Sequence, residues 1–315
     1  MKRRRVLVTG AGGFVGQALA LGFADLGWEV IGLDRAFDTG WENRDIHLVT
    51  AELDQGVPAD VPAVDLVLHA AWVTTAPGTL GITAAEYVTL NLRPLHAVLE
   101  YTDRTLPAAF VFLSSSGVFA PGDAVEGLTD ADHPTGASSY AAAKREGELR
   151  VAAALRSTER DSRESDSGDL ATAVHVVRLG YLFGPGETAR PSREGVSLVA
   201  DWLDAARGGR PLAVRSDDPA RDWTFTPDLA AALERVVDGP SASRPVHLGS
   251  PHVWRDGALA DLIVSHFPDA KRVTETAAGR VKPPMVPSDI PALRDFSWTD
   301  PPAGLQAILA PEVVA

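Results

Sequence analysis

Short runs of Val, Ile and Leu alternate with longer stretches of helical periodicity from Arg5 to about residue 180, a pattern that predicts parallel strands joined by helical crossovers. "RRVLVTG", "WEVIGLD" and "DIHLVTAEL" read as the first strands, and "GFVGQALALGFADLG" between the first two reads as a helix closed by Gly27. "VDLVLHAA" and "AAFVFLSSS" are near-continuous apolar runs, the signature of strands buried on both faces. They flank a helix over 84–104, and "SSYAAAKREGELRVAAALR" is a second long helix whose alanines suit close packing. The segment "RSTERDSRESDSGD" offers almost nothing to bury and reads as an exposed loop over 156–170. After the strand "TAVHVVRLGYLFG" prolines become frequent and the alternation loosens. The chain therefore divides into an α/β domain over 1–180, built on a doubly wound parallel sheet, and a smaller C-terminal α/β lobe over 181–315. Within the lobe the pattern predicts a helix at 194–208, a strand at 221–226 and a helix at 228–238, while "RPVHLGS" is placed to return to the main sheet, making 221–250 a region shared with the first domain.

Composition removes whole classes of function. A chain of 315 residues, 45% hydrophobic and 23% charged, is globular and long enough for a large core. It contains no cysteine, so no disulfide framework, thiolate nucleophile or thiolate metal site can form, which fits a reducing, cytoplasmic location. A net charge of −13 is the wrong sign for nonspecific nucleic-acid binding. No run reaches the roughly 20 apolar residues of a membrane span, and the apolar stretch behind "MKRRR" is too short to predict export. The eight histidines are scattered without metal-ligand spacing, and no serine sits in the G-x-S-x-G turn of a hydrolase.

The first strand runs into "GAGGFVG", which sets Gly10, Gly13 and Gly16 ahead of an amphipathic helix. Gly10 permits a tight turn, Gly13 lets the backbone approach a pyrophosphate, and Gly16 lets the helix lie close to the strand. The helix start, with Phe14 and Val15, offers free N–H groups and a partial positive charge to phosphate. Asp34 ends the next strand, 18 residues after Gly16. A carboxylate there accepts both hydroxyls of an adenosine ribose, which favours NAD and repels the 2′-phosphate of NADP. Arg35 beside it either pairs with such a phosphate, stacks on adenine or is solvated. Together these features specify a Rossmann-type dinucleotide fold.

Tyr140 and Lys144 in "YAAAK" stand four apart, on one face of a helix. Upstream, Ser114, Ser115 and Ser116 end a strand, and strand C-termini are where open α/β sheets bind ligands. A phenol of pKa about 10 is a poor base at neutral pH, but a nearby ammonium favours its phenolate and lowers that value. Lys144 is therefore expected to bring down the Tyr140 pKa and to hold the nicotinamide ribose. One of the serine hydroxyls would hold the substrate oxygen, and Tyr140 would take its proton as a hydride leaves for the nicotinamide.

On the glycine motif and this Ser/Tyr/Lys set, the chain resembles an extended short-chain dehydrogenase/reductase of the NAD-dependent epimerase/dehydratase group, over nearly its whole length. "VLHAA" resembles the family's cofactor-flanking strand end, which implies that His69, Ala70 and Ala71 lie near the cofactor. "NLRPLHAVLE" resembles the helix carrying its active-site asparagine, Asn91 here, and Glu52 and Leu53 match its "GDL" beside the adenine. "RLGYLFGPGE", "RDWTFTPDLAAAL", "VHLGS" and "FSWTDPPAGLQAIL" resemble its later segments. The family register also separates the three serines. Counting back from Phe119, the catalytic position is Ser115; Ser114 then points the other way and satisfies local backbone groups, and Ser116 is a substrate contact.

Departures from the family pattern narrow the chemistry. Phe119 and Ala120 replace its usual tyrosine and glycine, removing a hydroxyl near the site, and Ser116 and Gly117 occupy the place of the dehydratases' Asp-Glu pair, which disfavours dehydration. Arg221 matches an arginine that binds a sugar-nucleotide diphosphate, or else pairs with Asp222 or another acid of the lobe. Arg280, in "AAGRVKPP", is a second phosphate candidate in a broken motif; Arg190 and Arg193 fall in a mobile-looking segment and either meet substrate or are solvated. Trp72, Trp223 and Trp254 are candidates for a sugar platform, or for packing. The resemblance implies an NAD-dependent oxidoreductase, NADP being the lesser alternative, acting as an epimerase or dehydrogenase on a sugar, sugar acid or sugar nucleotide. It also implies a homodimer paired through the helices at 84–104 and 138–155. The competing reading is a non-catalytic NAD(P)-binding sensor of the same fold.

Overall fold

The computed structural model describes residues 3–38, 41, 45–164, 172–240 and 244–310. The first half runs β1 (Arg5–Thr9), α1 (Phe14–Asp25), β2 (Glu29–Asp34), β3 (Ile46–Thr50), β4 (Leu66–His69), α2 (Pro77–Leu80), α3 (Ala84–Thr105), β5 (Ala109–Ser115), α4 (Ser139–Glu164) and β6 (Ala173–Leu179). There follow β7 (Tyr181–Phe183), α5 (Leu198–Arg207), β8 (Leu212–Arg215), β9 (Ala220–Phe225), α6 (Leu229–Val237), β10 (Val246–Leu248), β11 (Val253–Arg255), α7 (Asp256–His266), β12 (Arg272–Glu275) and α8 (Pro301–Leu309).

Seven strands form one sheet in the order β10-β6-β5-β4-β1-β2-β3, every neighbouring pair parallel. Chain order reverses between β1 and β4, so a crevice opens at the C-terminal ends of these strands, where Thr9 pairs with His69. Strand alternation sends successive side chains to opposite layers. Val6, Val8, Val111 and Val177 pack with Leu19 and Phe23 of α1 and Leu233 of α6. Leu7, Val67, Phe110 and Phe112 pack with Leu95 and Val98 of α3 and Val151 of α4.

Local chemistry fixes where the two long helices begin. Thr83 and Glu86 cap α3 reciprocally, and the Ser138 hydroxyl accepts the Ala141 N–H at 3.1 Å, which sets Tyr140 in the first turn of α4. α4 then runs to Glu164, so the loop expected from Arg156 is helical that far; residues 165–170 lie outside the described ones. Once nucleated, a helix propagates through polar residues at little cost per residue, which an apolar-pattern reading does not register.

The remaining strands make a three-stranded sheet, β11-β9-β7, and a parallel pair, β12-β8. They close over a separate core of Phe183, Trp202, Trp223, Leu259 and Leu305. β10 leaves this lobe to pair with β6 at the edge of the main sheet, and α6 packs against α1. The cleft thus has one wall from each unit.

Candidate active site

Two cavities, of about 890 and 220 Å³, open at the C-terminal ends of the parallel strands, and Gly10, Gly13, Ala70 and Trp72 line both. Phe14, Val15 and Gly16 lie on the larger one; Asp34, Arg35, Glu52, Leu53 and Ala71 lie on the smaller. A Cβ on Gly16 would stand 1.9 Å from the Gly10 carbonyl oxygen, so only glycine lets α1 begin this close to the turn. The Asp34 carboxylate is fixed at the rim by the backbone N–H groups of Gly12 (2.9 Å) and Arg35 (2.6 Å). A helix start held against a glycine turn and an oriented acid on the next strand fit the pyrophosphate and ribose of a dinucleotide.

Ser115, Tyr140 and Lys144 all line the larger cavity. The Ser115 hydroxyl accepts the Gly117 N–H at 3.0 Å. Burial raises the Tyr140 pKa above its ordinary value, against the opposing pull of the Ser115 hydroxyl and of the Arg193 charge. Lys144 donates to the Leu113 carbonyl at 2.7 Å, and its ammonium lies 3.9 Å from the Trp72 ring centroid. Burial brings its pKa down to about 7, with the Glu148 charge acting the other way. The expectation that Lys144 lowers the phenol pKa is therefore not met: the ammonium is turned to a carbonyl and an indole, and the cation acting on the phenol is Arg193. In the sequence Gly117 stands out only as a departure from the dehydratase pair, yet a Cβ there would stand 2.9 Å from Tyr140 Cε1.

Other expectations shift as well. His69 is buried and on the wall of neither cavity. Its register partners Thr9 and Phe112 share its face of the sheet, so Nδ1 meets the Thr9 hydroxyl at 2.8 Å and the ring stacks on Phe112. Burial, then the Lys144 charge, pulls its pKa down to about 3. Asn91 lines the smaller cavity but turns its amide to the backbone: Oδ1 accepts the Val73 N–H at 2.7 Å and Nδ2 donates to the Tyr87 carbonyl at 3.2 Å. It holds the loop after β4 and bonds neither Tyr140 nor Lys144. Ser114 donates to the Glu148 carboxylate at 2.6 Å, not to local backbone, because its register neighbour is Arg178, which pairs with the same carboxylate. Phe119 packs against His247 and lies outside the cleft wall, so the missing family hydroxyl faces the core here.

On the wall of the larger cavity, Ser116 is buried and its hydroxyl accepts from Lys282 at 3.0 Å. Lys282 is the cation that its loop brings to the cleft; Arg280, two residues earlier, is exposed and lines neither cavity. The sequence offered no signal for Lys282 beyond the broken motif around Arg280. Arg221 does line the cleft, but its ion pair is with Asp256 (2.7 and 2.8 Å) rather than Asp222, whose register partner is Val253. Arg190 and Arg193 line it too, paired with Asp38 and Glu187. Their segment is tied down, since Thr74 N–H and the Thr75 hydroxyl donate to the Ser192 (2.7 Å) and Pro191 (2.8 Å) carbonyls. Trp72 and Trp223 face the cleft, whereas Trp254 packs on the core of the smaller unit.

The sequence model of the NAD dependent epimerase/dehydratase family matches residues 6–249. The chain belongs to this family. Among curated proteins, the chain is 27% identical over 234 residues to the 2-alkyl-3-oxoalkanoate reductase of Stenotrophomonas maltophilia, a match covering 72% of this chain and 63% of that one. It is 25% identical over 335 residues to UDP-glucuronate 4-epimerase 1 of Arabidopsis thaliana, covering 96% and 74%. The matched part thus spans less than two thirds of the reductase. Two solved structures superpose on nearly the whole chain: the NAD-dependent NDP-hexosamine 5,6-dehydratase TunA (TM-score 0.78, 21% identity, 97% and 96% covered) and the UDP-glucuronic acid 4-epimerase of Bacillus cereus in complex with NAD (0.75, 17%, 96% and 94%). At such identities they establish the fold shared across the family.

Proposed function

We propose that this family member is an NAD-dependent oxidoreductase that moves a hydride between nicotinamide and a carbinol or keto carbon of a sugar-like substrate, with Tyr140 as the acid/base. The reading rests on the meeting of Ser115, Tyr140 and Lys144 on one cleft beside the glycine-turn helix start. When bound, NAD supplies a two-electron hydride acceptor. The backbone from Gly10 to Gly16 takes the pyrophosphate, Asp34 the adenosine ribose hydroxyls, and Lys144 those of the nicotinamide ribose. Ser115 holds the substrate hydroxyl oxygen while the Tyr140 phenolate, the form that burial confines to alkaline pH, accepts its proton as the C–H hydride departs, leaving a carbonyl. In the other direction the phenol returns that proton.

The 4-epimerase relative supports a sugar-like substrate, and the oxoalkanoate reductase supports simple oxidoreduction of a hydroxy or oxo compound. Dehydration is disfavoured because Ser116 and Gly117 bring no carboxyl to the catalytic corner and Lys282 stands there. We also propose that two copies pair through α3 and α4, which pack on each other and leave Leu149 of α4 exposed. The test of function is incubation with NAD and a panel of sugars, sugar acids, hydroxy acids and sugar nucleotides, with NADH absorbance and product stereochemistry both recorded. Net NADH marks a dehydrogenase, and a new stereoisomer without net NADH marks an epimerase. NAD binding with no turnover across the panel would overturn the reading in favour of a sensor.

A further inference from the structure

Besides Lys144, four cations line the larger cavity: Arg190, Arg193, Arg221 and Lys282. The three arginines are balanced by Asp38, Glu187 and Asp256. Lys282 differs: among the described residues its ammonium has no carboxylate at ion-pair distance, donates to the Ser116 hydroxyl at 3.0 Å and lies 4.2 Å from the Tyr181 ring centroid. Asp222 feels its charge, but that carboxyl is buried, pushed up by its burial, and turns Oδ1 to the Met285 N–H at 3.1 Å. A half-buried ammonium against an aromatic wall, with no carboxylate at ion-pair distance among the described residues, is matched by an anion that also meets the neighbouring hydroxyl.

The place of this pair in the chain gives its meaning. Ser115, Ser116 and Lys282 all line the larger cavity, so the hydroxyl and ammonium share the wall that carries the serine assigned to the reacting oxygen. We propose that Lys282 and Ser116 bind a carboxylate carried by the substrate one or two carbons from the reacting carbinol, which makes hydroxy acids, sugar acids and their keto forms the preferred substrates. The proposal rests on the oxidoreductase reading of the cleft. A sugar-nucleotide diphosphate offers similar charge, but it hangs from the anomeric carbon, across the ring from a reacting C4, whereas Lys282 is hydrogen-bonded to the residue that follows Ser115. The Arg221 guanidinium, 4.4 Å from the Tyr181 ring centroid, is already held by Asp256.

The test uses NAD-loaded wild type, Lys282→Met and Lys282→Arg, with tryptophan fluorescence as the binding signal because Trp72 and Trp223 line the cleft. Two matched pairs of probes are titrated, glucuronate against glucose and 3-hydroxybutyrate against butan-2-ol, with UDP as the diphosphate probe. In wild type the acid of at least one pair binds about ten- to a hundredfold more tightly than its neutral partner, the worth of one charged hydrogen-bonded contact. Lys282→Met reduces that ratio to near unity and Lys282→Arg keeps most of it. Equal binding within both pairs in wild type overturns the proposal, as does a preference that survives in Lys282→Met. Loss of UDP binding in Lys282→Met with the acid preference intact assigns the cation to a diphosphate and overturns it too. Turnover is recorded separately: its absence for every probe counts against the oxidoreductase reading, while the binding ratios still decide the role of Lys282.

Discussion

Glu148→Gln tests how the helix carrying Tyr140 and Lys144 is anchored. Glu148, on α4, accepts two bonds from Arg178 of β6, at 2.9 and 2.7 Å, and one from Ser114 of β5, at 2.6 Å. The two charged side chains are only 5% and 11% exposed, so water contributes little to their solvation. Glutamine preserves the volume and one acceptor but removes the charge and turns an N–H2 toward the guanidinium or the Ser114 hydroxyl. A buried Arg178 is then left without a carboxylate, a loss that costs about 3–5 kcal/mol when one partner of a dry pair is removed. The retained acceptor places this variant at the lower end, about 3 kcal/mol. For a chain of 315 residues that lowers Tm by about 4–5 °C. The assay is thermal and urea unfolding of Glu148→Gln, Arg178→Met and the double variant Arg178→Met with Glu148→Met. The double variant is expected to lie closer to wild type than the sum of the single losses, because it leaves no uncompensated charge. A Glu148→Gln protein that melts within about 1 °C of wild type would refute the claim that this network holds the catalytic helix.

Gly117→Ala puts a methyl 2.9 Å from Tyr140 Cε1, and restoring ordinary contact displaces the ring by about 0.7 Å. Turnover is expected to fall about 10- to 100-fold with a stability loss of about 1–3 kcal/mol, measured by steady-state kinetics and melting; wild-type turnover would contradict the assigned position of the phenol. Lys144 titrates at about 7 in the fold against 10.5 in the unfolded chain, so between those values the unfolded state binds more protons and stability rises with pH, by at most about 1.4 kcal/mol per unit. Lys144→Met is expected to flatten that rise in urea unfolding measured from pH 7 to 10, and parallel curves for the two proteins would show that the lysine is not buried as described.

The sheet and its ligand edge were legible in the sequence because continuous apolar runs such as "VDLVLHAA" mark strands covered on both faces. The glycine turn was legible because close approach leaves no other residue type at Gly16. That a strand-end serine meets Tyr140 and Lys144 could be read because helix spacing and strand ends both constrain where side chains meet, while the choice of Ser115 among the three serines came from the family resemblance alone. What escaped were contacts set by long-range packing. The Asp256 partner of Arg221 and the Ser116 partner of Lys282 come from segments 35 and 166 residues away, and no local pattern encodes such pairs. The electrostatics of Lys144 escaped for a related reason: spacing puts it beside Tyr140, but burial and the Trp72 face decide what its charge does. His69 shows the same limit at strand level, since a residue at a ligand-binding strand end can still face the core.

The central claim, that Tyr140 moves the substrate proton, is tested most directly by Tyr140→Phe, which removes one oxygen and leaves the ring packed beside Gly117. NAD affinity by calorimetry and turnover of the best panel substrate are measured on the same preparation. The account predicts NAD binding within about twofold of wild type and turnover reduced by about 10²- to 10⁴-fold, the contribution of a positioned acid/base. Turnover equal to wild type, with NAD bound as before, would contradict it.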